Sequence, residues 1–380
     1  MSAQVSRVGP AREPPAAPVE RRGAKPSLLL AANFLSEGGG RRAVMEDLAD
    51  RLAAAGYPLI RASAFRSGWA RGAHMAAAVL LKARNYRASV VDLYSGRAFL
   101  WGEAVCRISK FLGKPCLLVL RGGGLPELAR KNPERVRKVL ASASVCAVPS
   151  RFLLEEMRAY REDLLLIPNP IDLAAYAFRP RDRPGPRLIW IRAFHEIYNP
   201  TLAPRVLALL SKEFSEATLV MIGPDKGDGS LESVRRTAAD LRVLDRLSLP
   251  GGIPKSAVPE WLDKGDIFLN TTNVDNTPVS VLEAMACGLC VISTRVGGIP
   301  YLLGDGREAL LVPPKDADAM ANAARRVLVE ANLAARLSRG GRALAERFDW
   351  PAILPLWEAA LREADDSVRR RRGLSGRSPA

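Results

Sequence analysis

Short apolar runs alternate with amphipathic segments from residue 27 onward. This alternation is typical of a parallel sheet whose strands are joined by helices. A first helix is expected over 41–55, because Val44, Leu48 and Leu52 recur at helical spacing. The first half of the pattern predicts six strands, at 28–32, 58–62, 89–94, 116–120, 145–148 and 164–167.

The pattern breaks at residues 179–186, where three prolines stand within eight residues. Proline lacks a backbone N–H and fixes φ, so this segment is expected to be a linker and not a helix or central strand. The pattern then restarts, with strands expected at 188–191, 218–222, 246–249, 266–270, 290–293 and 309–312. We therefore expect an α/β protein with two doubly wound domains, over 27–178 and 187–345, whose strands end at a shared central cleft. A C-terminal helix is expected within 346–366.

Charge adds information about the two ends of the chain. The 380 residues carry a net charge of +16, of which +3 falls on residues 1–25 and +5 on residues 367–380. Segments 1–26 and 367–380 are expected to be disordered tails. Their arginines indicate either attraction to an anionic membrane surface or a general bias toward Arg, Ala and Pro. Nucleic acid is not expected as a partner, because zinc-finger spacings and aromatic RNA-binding motifs are missing from the sequence.

Two further classes of protein are not expected. The longest apolar run, at 75–81, is far shorter than the roughly 20 residues that span a bilayer, and 28–32 is too short for a secretory core. We expect a cytoplasmic protein, at most peripheral at the inner face of a membrane.

The five cysteines are odd in number and scattered, so reduced thiols are expected. The pair Cys287 and Cys290 lacks further ligands for a metal, since the chain has only two histidines.

The most informative stretch follows the strand predicted at 266–270. Thr277 is a suitable N-cap, and Pro278 suits the first position of a helix. The free amides of Val279 and Ser280 then face outward, where the helix dipole favours an anion.

Two carboxylates flank these amides. Asp275 precedes them in the loop, and Glu283 lies about one and a half turns into the helix. One carboxylate can meet hydroxyls beside a bound phosphate while the other reaches further along the ligand. The spacing alone also permits an ordinary capped helix with a solvated Glu283.

This stretch resembles the E-x7-E region of retaining GT-B glycosyltransferases, the broad group known as glycosyl transferases group 1 or family 4. The resemblance continues through 283–300 and 311–316, and covers residues 27–360 with the glycine turn at 37–40, the segment 168–172 and Arg192. It implies a GT-B fold, with two Rossmann-like domains facing a central cleft. The implied activity is transfer of a sugar from a nucleotide-sugar donor to a glycan or lipid-linked acceptor, with retention, in cell-envelope, exopolysaccharide or lipid-glycan assembly.

The resemblance also implies roles for individual residues. Glu283 would bind the ribose of the donor, Asp275 the transferred sugar, and Arg192 the leaving diphosphate. The remaining donor contacts would come from Gly38 and Gly39 in the first domain and from Gly251, Gly252, Ile253, Asn276, Thr277, Val279 and Ser280 in the second. Beyond the donor substrate no cofactor is implied.

Three positions depart from the family pattern. Asp275 stands where glutamate is usual, and residues 197–199 lack the base commonly found about five positions after Arg192. Arg121 stands in a loop that commonly carries a histidine. It is expected either to supply a second cation for the diphosphate or to be an exposed loop arginine.

Other signals are weaker. Asp316 and Asp318 form a D-x-D, which we interpret as the start of a helix and not as a metal site, so catalysis is expected to be metal-independent. His195 is the histidine better placed to line the cleft, but it has no obvious acid partner. Two alternatives remain: a non-catalytic nucleotide-sugar-binding or scaffold protein of this fold, and a sugar-nucleotide epimerase, whose acid and base residues we do not find.

Overall fold

The computed structural model of the protein describes residues 25–35 and 43–371, so the predicted contacts of Gly38 and Gly39 lie outside the described residues. The chain forms two compact units. The first extends to Pro168 and resumes at Pro351, and the second is Asn169–Trp350. Each unit contains its own six-stranded parallel sheet, which confirms the predicted α/β class with two doubly wound domains.

The first unit has the strand order β2-β1-β3-β4-β5-β6. Its strands are β1 Leu28–Ala31, β2 Leu59–Ala62, β3 Ala88–Leu93, β4 Cys116–Leu120, β5 Val145–Val148 and β6 Leu165–Leu166. Its helices in the first part of the chain are α1 Val44–Ala54, α2 Gly68–Leu81, α3 Phe99–Phe111, α4 Leu125–Lys131, α5 Pro133–Leu140 and α6 Arg151–Met157. Every residue of β1, β3, β4 and β5 is buried, because helices cover both faces of the sheet.

The second unit has the order β12-β11-β10-β7-β8-β9. Its strands are β7 Arg187–Ile191, β8 Thr218–Ile222, β9 Leu247–Gly251, β10 Ile267–Asn270, β11 Cys290–Thr294 and β12 Ala309–Val312. Its helices are α7 Leu202–Leu210, α8 Ser230–Asp240, α9 Val258–Asp263, α10 Val279–Ala286, α11 Ile299–Leu302, α12 Ala317–Val329 and α13 Leu333–Glu346.

Alternate residues of the second sheet pack into two separate apolar clusters. Trp190 and Ile292 belong to the cluster that includes α7 and α12, whereas Ile189 and Val291 belong to the cluster that includes α10. Both faces are therefore closed to solvent. A ligand must approach this sheet at the ends of its strands.

The predicted linker at 179–186 is wrong as a domain boundary, because these residues lie within the second unit. The reason is Arg181, which is 1 % exposed and donates hydrogen bonds to the carbonyls of Cys287 (2.6 Å) and Gly265 (3.0 Å). The prolines do prevent helix and strand here, but a buried arginine fastens the segment to the second unit. The observed boundary falls at Pro168 and Asn169.

The C-terminal helix also differs from the prediction. Helix α14 spans Trp350–Arg371, so residues 367–371 are helical and not part of a disordered tail. From Pro351 this helix belongs to the first unit, where Asp365 accepts two 2.8 Å hydrogen bonds from Arg87. At the other end of the chain, Lys25 pairs with Glu358 at 2.7 Å and is likewise ordered. The remainder of both predicted tails, 1–24 and 372–380, lies outside the described residues.

The five cysteines are buried and free, as predicted. Burial raises the pKa of the Cys287 thiol to about 11 and that of Cys290 to about 12, so both are protonated at neutral pH. Over residues 25–35 and 43–371, the helices include none with the length and apolarity needed to cross a membrane.

Candidate functional site

The second sheet has a topological switch point between β7 and β10. These strands are neighbours, yet the chain proceeds outward from β7 through β8 and β9, and outward from β10 through β11 and β12. In doubly wound sheets, ligands bind at the carboxyl ends of the strands on either side of such a point. Arg192 directly follows β7, and the loop with Asp275 follows β10.

The structure brings Arg192 and Asp275 together as an ion pair. The side chains are 20 % and 11 % exposed, so the pair is mostly shielded but still reaches solvent. The Arg192 guanidinium also lies over the ring of Tyr198, with 4.6 Å between its carbon and the ring centroid. The second Asp275 oxygen accepts the N–H of Asn276 at 2.9 Å. Two residues that the sequence assigned to different parts of the donor are thus direct partners.

Backbone contacts hold the two loops side by side. The N–H of Asn273 donates to the carbonyl of Ile197 at 2.8 Å, and the hydroxyl of Thr271 donates to the carbonyl of Tyr198 at 2.7 Å. The loop at 197–199 therefore supplies carbonyls to its neighbour and an aromatic ring to Arg192, in the region where the family pattern has a base. Tyr198 is a site residue that the sequence reasoning missed, and its position six residues after Arg192 was the available signal.

A glycine pair after β11 allows a third loop to approach. A side chain at Gly297 would overlap the carbonyl of Asp275, and Gly297 has a φ of +51°. The next residue, Gly298, donates its N–H to that same carbonyl at 2.9 Å. These two glycines hold the backbone of the loop, because a side chain at Gly297 would displace Asp275 and one at Gly298 would displace the carbonyl of Asn276.

Helix α10 begins one residue later than predicted. Pro278 is extended (φ −72°, ψ 109°) and occupies the N-cap position, so Thr277 is not the cap and Pro278 is not the first helical residue. The carbonyl of Pro278 accepts the first helical hydrogen bond, from Val281 at 3.1 Å. Val279 and Ser280 therefore occupy the first two helical positions, where amides lack helical partners. The Ser280 hydroxyl is buried and makes no hydrogen bond within the described part of the chain.

Glu283 is 4 % exposed and forms an ion pair with Lys255. The alternative of a solvated Glu283 is wrong, because α10 is buried along almost its whole length. Lys255 was missed by the sequence analysis, since it lies 28 residues earlier in a short turn after β9 and no local pattern marks it. Its ammonium compensates the charge of a carboxylate that would otherwise be buried alone.

The predicted donor contacts at residues 251–253 lie at the same edge of the sheet. Gly251 ends β9 with a φ of +80°, and its carbonyl accepts the N–H of Gly223 at 2.9 Å. Gly252 packs near Pro224, and Ile253 packs against the apolar cluster that includes α10. The segment therefore connects the end of β9 to Lys255.

Arg121 lies in the first unit, directly after β4, and is not an exposed loop arginine as one alternative had it. It is 6 % exposed, and its Nε donates to Asp92 of β3 at 3.0 Å. Burial raises the pKa of the Asp92 carboxyl, and the charge of Arg121 opposes that rise. Removing either charge from a buried pair of this kind destabilises the folded protein, because the other charge is then buried without a partner.

His195 has an acid neighbour that the sequence did not reveal. Its Nδ1 accepts the N–H of Ile197 at 3.2 Å and lies 3.9 Å from a carboxylate oxygen of Asp228. Asp228 also accepts the N–H of Glu196 at 2.8 Å, and this bond lowers the pKa of Asp228.

Asp316 is the N-cap of α12, as predicted, and accepts the N–H of Ala319 at 2.8 Å. Within the described ranges, no group of three or more His, Cys, Asp or Glu side chains is arranged to hold a metal ion.

Known proteins resemble this chain in sequence. Residues 185–330 match the family Glycosyl transferases group 1. The chain is 26% identical over 302 residues to a D-inositol 3-phosphate glycosyltransferase of Acidothermus cellulolyticus, covering 71% of this chain and 65% of that protein. It is 29% identical over 154 residues to a GDP-mannose-dependent alpha-(1-6)-phosphatidylinositol monomannoside mannosyltransferase of Mycolicibacterium smegmatis, covering 38% and 40%. The chain thus spans less than two thirds of either relative.

Solved structures show the same fold over nearly the whole chain. A UDP complex of HepE from Anabaena has a TM-score of 0.68 at 14% identity, covering 91% of this chain and 99% of that one. Sucrose-phosphate synthase from Thermosynechococcus elongatus has a TM-score of 0.66 at 19% identity, covering 92% and 100%. The chain therefore has a GT-B-like fold, and its residues 185–330 are similar to the family Glycosyl transferases group 1.

Proposed function

We propose that the protein transfers a sugar from a nucleotide-sugar donor to an acceptor hydroxyl, with retention of the anomeric configuration. The observation that carries this proposal is the ion pair of Arg192 and Asp275 at the β7–β10 switch point, beside the start of α10. A cation, a carboxylate and free helix amides meet there, and each suits a different part of a sugar diphosphate.

The diphosphate would bind at the start of α10. The amides of Val279 and Ser280 and the positive end of the helix dipole favour an anion, and the unpartnered Ser280 hydroxyl can donate to a phosphate oxygen. Arg192 adds a fixed cation. Groups arranged in advance around a leaving diphosphate stabilise the charge that develops as the glycosidic bond breaks.

Donor binding would exchange the partners of Arg192. In the structure its charge is neutralised by Asp275. When the guanidinium turns to the diphosphate, an Asp275 oxygen becomes available to accept a hydroxyl of the transferred sugar. The negative charge of Asp275 then lies beside a sugar ring that gains positive character in the transition state.

The reaction requires no protein nucleophile. The acceptor hydroxyl attacks the anomeric carbon from the face that the diphosphate leaves, the carbon–oxygen bond to the phosphate breaks, and a phosphate oxygen takes the hydroxyl proton. Glu283 would bind the ribose hydroxyls, sharing its carboxylate with Lys255. Because Arg192 and the helix amides supply the charge that a divalent ion would supply, turnover should persist in EDTA.

The names of relatives suggest which acceptors to try first. They include D-inositol 3-phosphate glycosyltransferases and the phosphatidylinositol monomannoside mannosyltransferase of Mycolicibacterium smegmatis. We propose an acceptor that carries an inositol or another polyol, free or lipid-linked, and a place in cell-envelope or lipid-glycan assembly in the cytoplasm or at the inner face of the membrane.

Ligand-dependent unfolding tests the proposal. A ligand at roughly one hundred times its Kd stabilises the folded state by about 2.7 kcal/mol. In a thermal-shift screen of UDP-, GDP- and ADP-sugars, the true donor should therefore raise the unfolding temperature more than the others do. The nucleotide sugar that stabilises the protein should then be consumed when inositol phosphates are added as acceptors. NMR of the product should show the same anomeric configuration as the donor. The exposed Arg205→Gln variant serves as the control for Arg192→Gln, which should lose the shift.

Absence of a shift with every nucleotide sugar would contradict the donor assignment. A shift without turnover, and without slow donor hydrolysis, would instead identify a binding protein of the same fold.

A further inference from the structure

The amino-terminal edge of the first sheet carries a cavity that the proposed function does not use. Its volume is about 620 Å³, and it lies where residues 27, 87 and 115 lead into β1, β3 and β4. Arg84, Arg87 and Lys114 line it, together with Arg369 of α14. This edge is opposite to the strand ends at which ligands of doubly wound sheets bind.

A second hollow, of about 450 Å³, adjoins the first around the end of α3. It is lined by Arg107, Lys110 and Phe111 and by Lys138 of α5. Phe111 at the end of α3 lines the second hollow and the next residue, Leu112, lines the first, so we treat the two hollows together and call them the basic edge. Seven Lys and Arg side chains line it in the described part of the chain. Arg87 and Arg369 pair with Asp365, and Arg107 pairs with Glu103, so positive charge remains in excess.

Two large apolar side chains project beside these cations. Phe111 is 87 % exposed at the end of α3, and Leu81 is 84 % exposed at the end of α2, three residues before Arg84. Neither side chain packs in the core of the first unit. Each would be shielded from water only by contact with a binding partner. Exposed apolar residues among cations are typical of proteins that bind the interface of an anionic bilayer.

We propose that the basic edge docks on an anionic phospholipid bilayer. Lipid phosphates would occupy the two hollows, and Phe111 and Leu81 would enter the boundary between headgroups and acyl chains. Charge complementarity favours this partner, and the two exposed apolar side chains favour it over free phosphate or RNA. The chain also continues the charge, because Arg370 and Arg371 follow Arg369 in α14 and the last nine residues add Arg372 and Arg377 with no acid.

The experiment is flotation of the full chain with phosphatidylcholine vesicles, with and without phosphatidylglycerol. The test variant replaces Arg84, Lys110 and Lys138 with Gln, since these exposed cations form no ion pair with another described residue. Its matched control replaces the exposed Arg205, Arg235 and Arg236 of the second unit with Gln, which removes the same charge. Each cation near an anionic surface changes the affinity roughly 5-fold, so the test variant should bind on the order of 100-fold more weakly than the control.

Separate variants test the contribution of the exposed apolar side chains to vesicle binding. Phe111→Ser should weaken vesicle binding about 10-fold even at high salt, where the contribution of charge is screened. Leu241→Ser, on an exposed leucine of the second unit, should leave binding unchanged. Circular dichroism of each variant verifies that it is folded.

Equal binding by the test and control variants would overturn the proposal, because net charge would then be the whole cause. It would also be overturned if the test variant lost binding to an RNA oligonucleotide or to inorganic phosphate while neither it nor the wild type bound vesicles. The proposed sugar transfer does not enter these measurements, so its failure would leave this inference standing.

Discussion

Asp275 and Arg192 neutralise each other in a mostly buried ion pair, although they lie on loops that follow different strands. The ring of Tyr198 lies against the guanidinium, and two glycines hold the backbone of Asp275. A change at either charged residue therefore alters the environment of the other, and variants at this pair must be interpreted together.

Asp275→Asn should lower kcat by about 10²-fold with a smaller effect on donor KM, because the carboxylate acts on the sugar as it becomes cationic. Asp275→Glu restores the residue usual in the family, but Gly297 and Gly298 fix the backbone around the shorter acid. We expect the extra methylene to lower kcat as well. Steady-state kinetics over a range of donor concentrations measures both effects, and wild-type turnover in both variants would remove Asp275 from the site.

Tyr198→Leu should raise the donor KM about 2- to 5-fold, since a cation–π contact at a partly exposed site contributes about 0.5–1 kcal/mol. Tyr198→Phe is the matched control, because it keeps the ring against Arg192 and the backbone carbonyl that Thr271 contacts. Both variants should have similar kcat. If Tyr198→Phe were as impaired as Tyr198→Leu, the hydroxyl and not the ring would be the functional group.

Glu283→Gln should mainly raise the donor KM, because ribose does not react and its contacts are similar in the ground and transition states. Lys255→Met leaves the Glu283 carboxylate buried without its partner and should lower the free energy of unfolding by about 3 kcal/mol. The double variant Lys255→Met, Glu283→Gln should recover much of that stability. Urea unfolding of the three variants measures the coupling, and additive losses would show that the pair contributes nothing.

Arg121→Met should destabilise the first unit by about 3–5 kcal/mol, because Asp92 loses the cation that compensates its charge. The sign of the pH dependence follows from the pKa of Asp92, which burial already raises above that of an unfolded chain. At a pH low enough to protonate Asp92 in both the folded and the unfolded protein, Arg121→Met should cost no stability through charge. The loss of unfolding free energy should grow as the pH rises through the pKa of Asp92 in the folded protein. Arg121→Met should therefore approach wild-type stability on acidification, and Arg121→Met with Asp92→Asn should do so at neutral pH.

A loss of stability in Arg121→Met that did not change with pH would mean that packing of the guanidinium, and not its charge, is what the first unit loses.

The sequence was sufficient to predict the twelve strands, because the inner strands of a doubly wound sheet are covered on both faces and read as short apolar runs. It also placed Arg192 and Asp275 after predicted strands, and the structure brings these two residues together, whereas their roles toward a donor stay predictions. It did not reveal Lys255, whose partner is 28 residues away. Nor did it reveal that Arg87 and Asp365 meet, since 278 residues separate them.

The linker prediction failed for a related reason. Prolines exclude regular structure at 179–186, but they do not say which unit the segment packs on, and the buried side chain of Arg181 decides that. Similarly, one prediction for Arg121 was an exposed loop position, but its side chain is buried because it pairs with Asp92. In the sequence, Asp92 looks like any other strand residue.

The return of α14 to the first unit has a consequence for how a ribosome makes this protein. The second unit is one continuous segment, Asn169–Trp350, and is complete before the last helix is synthesised. The first unit has all its strands by Leu166, yet Lys25, Tyr57 and Arg87 must wait for Glu358 and Asp365 to emerge. Although domains generally fold in the order of synthesis, here the amino-terminal half is the one finished last. A nonsense codon shortly after residue 350 would spare the later-encoded unit and leave the earlier one unfinished.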